Sequence, residues 1–415
     1  ELWLKLFFFL HHYIDLIKEK DDIMKIYDFD TIIERKNTYS IKYDSYQQQN
    51  QLKNVIPLWV ADMDFKTAPE IIEDLVERAK HGIYGYTEIL DPYYTAVVHW
   101  MQYRHNWEIK KEWVVVTPGV VSAISSAIRS LTKEGDSILI QPPVYHPFSD
   151  MILKNKRKLV TNPLQYKEEH YEIDFKDFEK KVIENDVKIF ILCNPHNPVG
   201  RVWTKEELIR LGDICLQHGV VVISDEIHND FIYKGYQHHV FASLKEEYKK
   251  MTITCTSPSK TFNLAGLQIS NIIMAHPEYK EKIQKDIQAL GQGHANTFGL
   301  EACISAYTKG ERWLEELLSY LEDNITYVRS FLSERLPMVK LVEPEGLYLL
   351  WIDFRNLGLS NTELDTIIQE KTKLWLSPGH TFGIEGSGFQ RMNIACPRSV
   401  LKKALLQLET IKEYL

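Results

Sequence analysis

The chain has 415 residues, 44% of them hydrophobic and 26% charged, which is the composition of a folded globular protein and excludes fibrous and disordered classes. Lysine and arginine number 49 against 57 acidic residues, a formal charge of −8 with no long basic run, so nucleic-acid binding has no electrostatic footprint. The five cysteines (Cys193, Cys215, Cys255, Cys303, Cys396) are odd in number and never spaced Cys-x-x-Cys, which argues against a disulfide framework and a zinc site and favours a reducing cytoplasm.

The chain starts with an apolar run, Leu2 to Leu10, but Lys5, His11, His12 and Asp15 interrupt it before the ~20 residues of a membrane span. It has neither a basic region ahead of it nor a small-residue cleavage site behind it, so residues 1–23 are read as a leader or an appended segment, with Met24 as the start. Residues 24–70 are assigned to the N-terminal part of a small domain. From Ile71 onward, helical patterns alternate with short apolar segments at 113–117, 137–141, 187–193, 220–224, 252–256 and 269–275. That alternation predicts an α/β domain over 71–310, with a mostly parallel central sheet flanked by helices. Thr204-Lys205-Glu206-Glu207 predicts a helix start with a capping box. A long helical stretch from 311 to 336 ends at Pro337, and strand-like segments at 339–342 and 348–353 follow, which predicts a smaller α+β domain over 311–415.

The chemically unusual clusters fall just beyond the carboxyl ends of these strands, where open α/β sheets bind ligands. Thr117-Pro118-Gly119-Val120-Val121 opens a helix whose first amides can hold a phosphate, although Pro-Gly before a helix is more often only a turn. Gln141-Pro142-Pro143-Val144-Tyr145 ends in a ring that could stack on a flat heterocycle or simply pack. In Asn194-Pro195-His196-Asn197-Pro198, each proline restricts the asparagine before it, so the loop can aim an amide at a ligand oxygen. Asp225-Glu226-Ile227-His228 places a carboxylate at a buried strand end, a costly position unless it meets a cation or caps a helix. Ser257-Pro258-Ser259-Lys260 sets two hydroxyls beside an amine, although a lysine taken singly is usually a solvated surface residue. Together they list what pyridoxal phosphate requires.

In these motifs the sequence resembles the fold-type I pyridoxal-phosphate enzymes of the class I/II aminotransferase superfamily, over residues 24–415. Pro57-Leu58-Trp59-Val60-Ala61-Asp62-Met63-Asp64-Phe65, together with His228 and Ser259-Lys260-Thr261-Phe262-Asn263, is similar to the cystathionine β-lyase and cysteine–sulfur lyase branch. The resemblance implies Lys260 as the Schiff-base lysine, Asp225 as partner of the pyridine nitrogen, Asn197 as donor to the phenolic oxygen and Tyr145 as the stacking ring. His228 stands where many aminotransferases carry a tyrosine near that oxygen. The resemblance further implies a phosphate held by the Val120 and Val121 amides, Ser257, Ser259 and, from a second subunit, Tyr86, hence a homodimer with shared sites. Arg391 would take the substrate carboxylate, with Trp59 and Ala61 lining the substrate. Gln268 stands where aminotransferases commonly place a phosphate-binding arginine, and is read as a mark of the branch.

The activity implied is β-elimination at a carbon–sulfur bond of cystathionine or a related S-substituted cysteine, giving a thiol, pyruvate and ammonia. An aminotransferase shares every cofactor residue and is the first alternative. A lyase-like regulatory protein that acts by binding another protein is the second. No metal, nucleic acid or membrane is expected as a partner.

Overall fold

The computed structural model describes residues 27–45 and 55–415. The leader assigned to 1–23 and the start at Met24 lie outside the described residues. The centre is a seven-stranded sheet in the order Val114–Thr117, Ser270–Ile273, Thr252–Thr256, Val221–Asp225, Val187–Cys193, Ser137–Ile140 and Lys158–Thr161. The last five of these are mutually parallel, while Ser270–Ile273 is antiparallel to both of its neighbours. The predicted mostly parallel sheet is therefore present, with one reversed strand inserted beside Val114–Thr117.

Both faces are covered, which is why the strands read as continuous apolar runs rather than as alternations. Ile189, Ile191 and Ile223 point into one layer with Ala123, Ile124 and Ile128 of the helix Val120–Leu131. Phe190, Leu192 and Val222 point into the other, against Leu208 and Leu211 of Lys205–Gln217 and Phe178 of Phe175–Glu184. The predicted capping box is formed, with Thr204 and Glu207 each accepting from the other's backbone amide.

Two differences from the expected strands matter. Lys158–Thr161 is not among them, because this edge strand has only four residues, one of them buried, and carries no apolar run. The strand expected at 220–224 is Val221–Asp225, one residue later, so Asp225 is its last residue rather than the first of a loop. Hydrogen-bond register then sets Cys193, Asp225 and Cys255 side by side at one edge of the sheet.

The helix Glu311–Arg335 precedes a four-stranded antiparallel sheet in the order Lys340–Leu341, Leu349–Asp353, Phe389–Asn393, Ser377–Pro378. The N-terminal segment joins this part of the chain: Ile56–Pro57 pairs in parallel with Leu374–Trp375, and the Asn393 amide donates to the Leu58 carbonyl at 2.8 Å. That pairing delivers residues 59–65 to the carboxyl edge of the large sheet. All five cysteines are free and buried, and no helix among the described residues is long and apolar enough to cross a membrane.

Candidate active site

Asp225 is 5% exposed, and Oδ1 accepts from the Ile227 amide at 3.2 Å. Burial pushes this carboxyl up to about 7, against the lowering effect of that amide and of Lys260. Lys260 lies on the helical turn Pro258–Thr261, which Ser257 caps by accepting from the Ser259 amide at 3.0 Å. Its ammonium donates to the Ala61 carbonyl at 2.7 Å, and burial pulls it down to about 8 although the Asp62 and Asp225 charges oppose that shift. A buried acid raised to about 7 together with a buried amine lowered to about 8 marks a candidate functional site.

Arg391 enters from the strand Phe389–Asn393 and is 6% exposed. It donates to Asn197 Oδ1 at 3.0 Å, to the Trp59 carbonyl at 2.8 Å and to Ser377 Oγ at 3.2 Å, and its guanidinium lies 4.8 Å from the Phe382 ring centre. It has no carboxylate partner among the described residues, its Nε is buried without an acceptor, and burial lowers it to about 10. A guanidinium is buried at this cost where an anion is to be gripped in two-pronged fashion.

His228 is 4% exposed, with Nδ1 buried and unbonded and its ring 6.0 Å from that of Tyr348. Burial, then the Lys260 and Arg391 charges, push it well below its ordinary value, so the ring is neutral. Tyr145 packs edge-on against Phe148 at 5.7 Å and is held above its ordinary value by burial and by Asp225, so it keeps its proton. Lys260, Asp225, Asn197, His228, Tyr145, Arg391, Trp59 and Ala61 thus belong to one neighbourhood.

The phosphate candidates are less uniform. Gly119 has open space around it, and the helix that it precedes begins with Val120 and Val121, whose amides lack intrahelical acceptors. Ser257 donates its hydroxyl hydrogen to the Ile269 carbonyl at 2.7 Å, which leaves it none for a phosphate in this arrangement. Gln268 lines a cleft of about 430 Å³ with Thr117, Pro118 and His294. Tyr86 is 98% exposed, and its ring lies 5.7 Å from His294 on that same side.

Residues that carried no sequence signal, among them Arg35, Lys42, Tyr348 and Ser377, help to complete the site. The carbonyls of residues 59–65 are taken up by side chains from all around: Trp59 by Arg391 and Ser377, Val60 and Asp62 by Asn393, Ala61 by Lys260 and Tyr348, Met63 by Arg35 and Asn263. Outside this loop, Arg35 and Lys42 hold Asp62 and Asp64, with Lys42 fully buried and 2.8 Å from Asp64. Replacing Lys42 by alanine leaves the buried Asp64 carboxylate with Arg35 and removes one charge-assisted bond, and the expected cost is about 1–3 kcal/mol, read as a lower urea midpoint. An unchanged midpoint would show that the cluster adds nothing to stability.

Residues 53–408 match the family described as aminotransferase class I and II. The chain belongs to that family. Among curated relatives it is 44% identical to cystathionine β-lyase PatB of Bacillus subtilis, covering 92% of this chain and 99% of that one. Among solved structures, cystalysin of Treponema denticola, described as containing pyridoxal 5′-phosphate, is 40% identical with a TM-score of 0.91 over 94% of this chain and 100% of its own. A pyridoxal-phosphate-bound C–S lyase from Staphylococcus hominis is 35% identical, with a TM-score of 0.86 over 92% and 97%. The chain has the fold of this family, an α/β fold with a mixed central sheet flanked by helices.

Proposed function

We propose that this chain is a pyridoxal-phosphate enzyme that breaks a carbon–sulfur bond of cystathionine or a related S-substituted cysteine by β-elimination, releasing a thiol, pyruvate and ammonia. From cystathionine the thiol is homocysteine. The observation that carries the reading is the pairing of two unneutralised buried charges, Asp225 and Arg391, around the Lys260 amine. A cationic ring nitrogen relieves the first, and a substrate carboxylate the second. The names of PatB and of the C–S lyase structure support the same activity.

When bound, pyridoxal phosphate supplies an electron sink for the charge left at Cα. The chain's own residues do the rest. Asp225 would keep the ring nitrogen protonated. Asn197, its Oδ1 fixed by Arg391, is left with its amide hydrogens to donate to the phenolic oxygen. Tyr145 would supply the stacking ring, with neutral His228 in the same pocket. The phosphate falls to the Val120 and Val121 amides and Ser259, with Ser257 holding the turn. Lys260 takes the α-proton, at a proton affinity close to neutral pH. Arg391, packed against the Phe382 ring and held by the Trp59 carbonyl, would hold the substrate carboxylate.

The chain also works as a homodimer in this reading, with Tyr86 reaching the partner's phosphate; its exposure, beside exposed Ile83 and Tyr84, supports that role. A light-scattering mass of a single chain would remove it. Residues 24–70 with 311–415 form the small domain and 71–310 the large one, and the free, buried cysteines favour the cytoplasm.

The test is a panel of cystathionine, cystine, cysteine and S-substituted cysteines scored for pyruvate with no oxo acid added. Thiol, pyruvate and ammonia in equal amounts are expected. Turnover that needs an oxo acid would make the chain an aminotransferase instead.

A further inference from the structure

The turn that carries Lys260 is tied at both ends by hydroxyls. Ser257 holds one end through the Ile269 carbonyl, and at the other Thr261 Oγ1 donates to Asp230 Oδ2 at 2.6 Å. Thr261 and Asp230 are both buried. Asp230 closes the segment that begins with Asp225 and includes His228, so one hydroxyl–carboxylate bond joins that segment to the lysine turn.

This is a costly way to satisfy a threonine. Thr132, Thr252 and Thr372, equally buried, each donate to the carbonyl four residues earlier in their own segment. Thr261 uses a carboxylate 31 residues away in sequence. Burying that carboxylate requires partners. His105 Nε2 lies 3.1 Å and Arg104 Nε 3.8 Å from Asp230 Oδ1, both from the end of the helix Asp91–His105. Asp230 Oδ1 has no aligned hydrogen-bond donor among the described residues, so its attraction to His105 and Arg104 is electrostatic. Burial pushes the carboxyl up, but that attraction together with the Thr261 bond outweighs it and holds the group below its usual range. The same segment is tied a second time: buried Glu226 accepts from Ser224 Oγ at 2.7 Å and from the Phe241 amide at 3.1 Å, and faces His238 Nε2 at 3.0 Å. The His238 ring stands edge-on to that of His105 at 5.7 Å.

We propose that Asp230 and Thr261 are positioning residues whose bond sets where the Lys260 turn stands relative to Asp225 and His228. This rests on the reading of Lys260 as the reacting amine. Neither residue is assigned a contact with substrate or cofactor. Their contribution is to the direction from which the amine meets the α-proton, a quantity to which rates are steeply sensitive.

The experiment compares Thr261→Val, which removes the hydroxyl, with Thr261→Ser, which keeps it, in the cofactor-loaded protein. For Thr261→Val the expected results are a fall in kcat for pyruvate of about 10- to 100-fold with KM within about twofold, and a shifted pH midpoint of the bound cofactor's visible absorption. Thr261→Ser is expected to recover kcat to within about threefold and to restore that midpoint. A Thr261→Val protein with wild-type kcat and midpoint overturns the proposal, as does a Thr261→Ser protein as impaired as Thr261→Val. If Thr261→Val does not fold, His105→Asn, which withdraws the ring that lies 3.1 Å from Asp230 Oδ1, should move the midpoint away from the wild-type value; a wild-type midpoint there is equally fatal. A wild-type protein with no visible band after addition of pyridoxal phosphate, and no pyruvate, fails the underlying lysine reading instead.

Discussion

Replacing Lys260 by alanine is expected to lower pyruvate release from cystathionine by about 10⁴-fold, because one group is lost that both joins the cofactor and moves the α-proton. The fold should survive. The Lys260 amine contributes one hydrogen bond, to the Ala61 carbonyl, and that carbonyl keeps its second donor in Tyr348. The turn itself is held by Ser257 and Thr261, which the substitution leaves alone. Thermal melting should therefore move little while turnover collapses, and the visible absorption of the lysine-bound cofactor should vanish. Retention of turnover within tenfold would remove Lys260 from the mechanism. The same variant separates enzyme from binding protein, since a role exercised only through a protein partner would persist in it.

Asp225→Asn should cost activity and gain stability at once. An amide cannot keep the ring nitrogen protonated, and a loss of about 10²–10³-fold in kcat is expected from losing one preorganised charge opposite a developing one. The stability effect has a definite sign. Burial raises the folded-state carboxyl from its ordinary 3.8 to about 7, so its contribution to folding is intact below 3.8 and is lost progressively as pH rises to about 7. Without cofactor, the Asp225→Asn variant should match wild type in urea midpoint near pH 4 and exceed it near pH 8. A wild-type protein that is the more stable of the two at pH 8 would mean that Asp225 already has a partner in the chain alone. Opposed signs of this kind are expected where a site stores an unfavourable charge for later use.

The sheet and its chemistry are legible in the sequence to different depths. Strands buried on both faces announce themselves as apolar runs, and five clusters at their carboxyl ends can be read from residue type alone. The edge strand Lys158–Thr161 cannot, because only one of its four residues is buried and nothing there demands an apolar pattern. The pattern puts Asp225 just past its strand because an acid ordinarily ends one, whereas here it is the last strand residue, paired with Cys193 and Cys255. Contacts made over great separations leave no local trace. Arg391 meets Asn197 across 194 positions and Trp59 across 332. Lys42 is the sharpest case: composition treats a lysine as solvated, yet this one is fully buried because Asp62 and Asp64 follow some twenty residues later. Ser257 is readable as a hydroxyl beside the lysine, but which acceptor its hydrogen chooses depends on where Ile269 comes to lie.

The loop of residues 59–65 holds Arg391 by the carbonyl of Trp59 and Lys260 by that of Ala61. Two residues of extended chain span at most about 7 Å, so the cation and the base are fastened to neighbouring rungs of one rigid ladder. A substrate carbon that offers its carboxylate to the first and its hydrogen to the second, while its nitrogen is committed to the cofactor, has three of its four directions assigned. Only one mirror image of an amino acid satisfies all three, and the fourth direction, toward the sulfur, follows from it. With Arg391 and Lys260 in the roles proposed for them, handedness in this site follows from a backbone segment, written in carbonyl oxygens that any side-chain inventory would pass over.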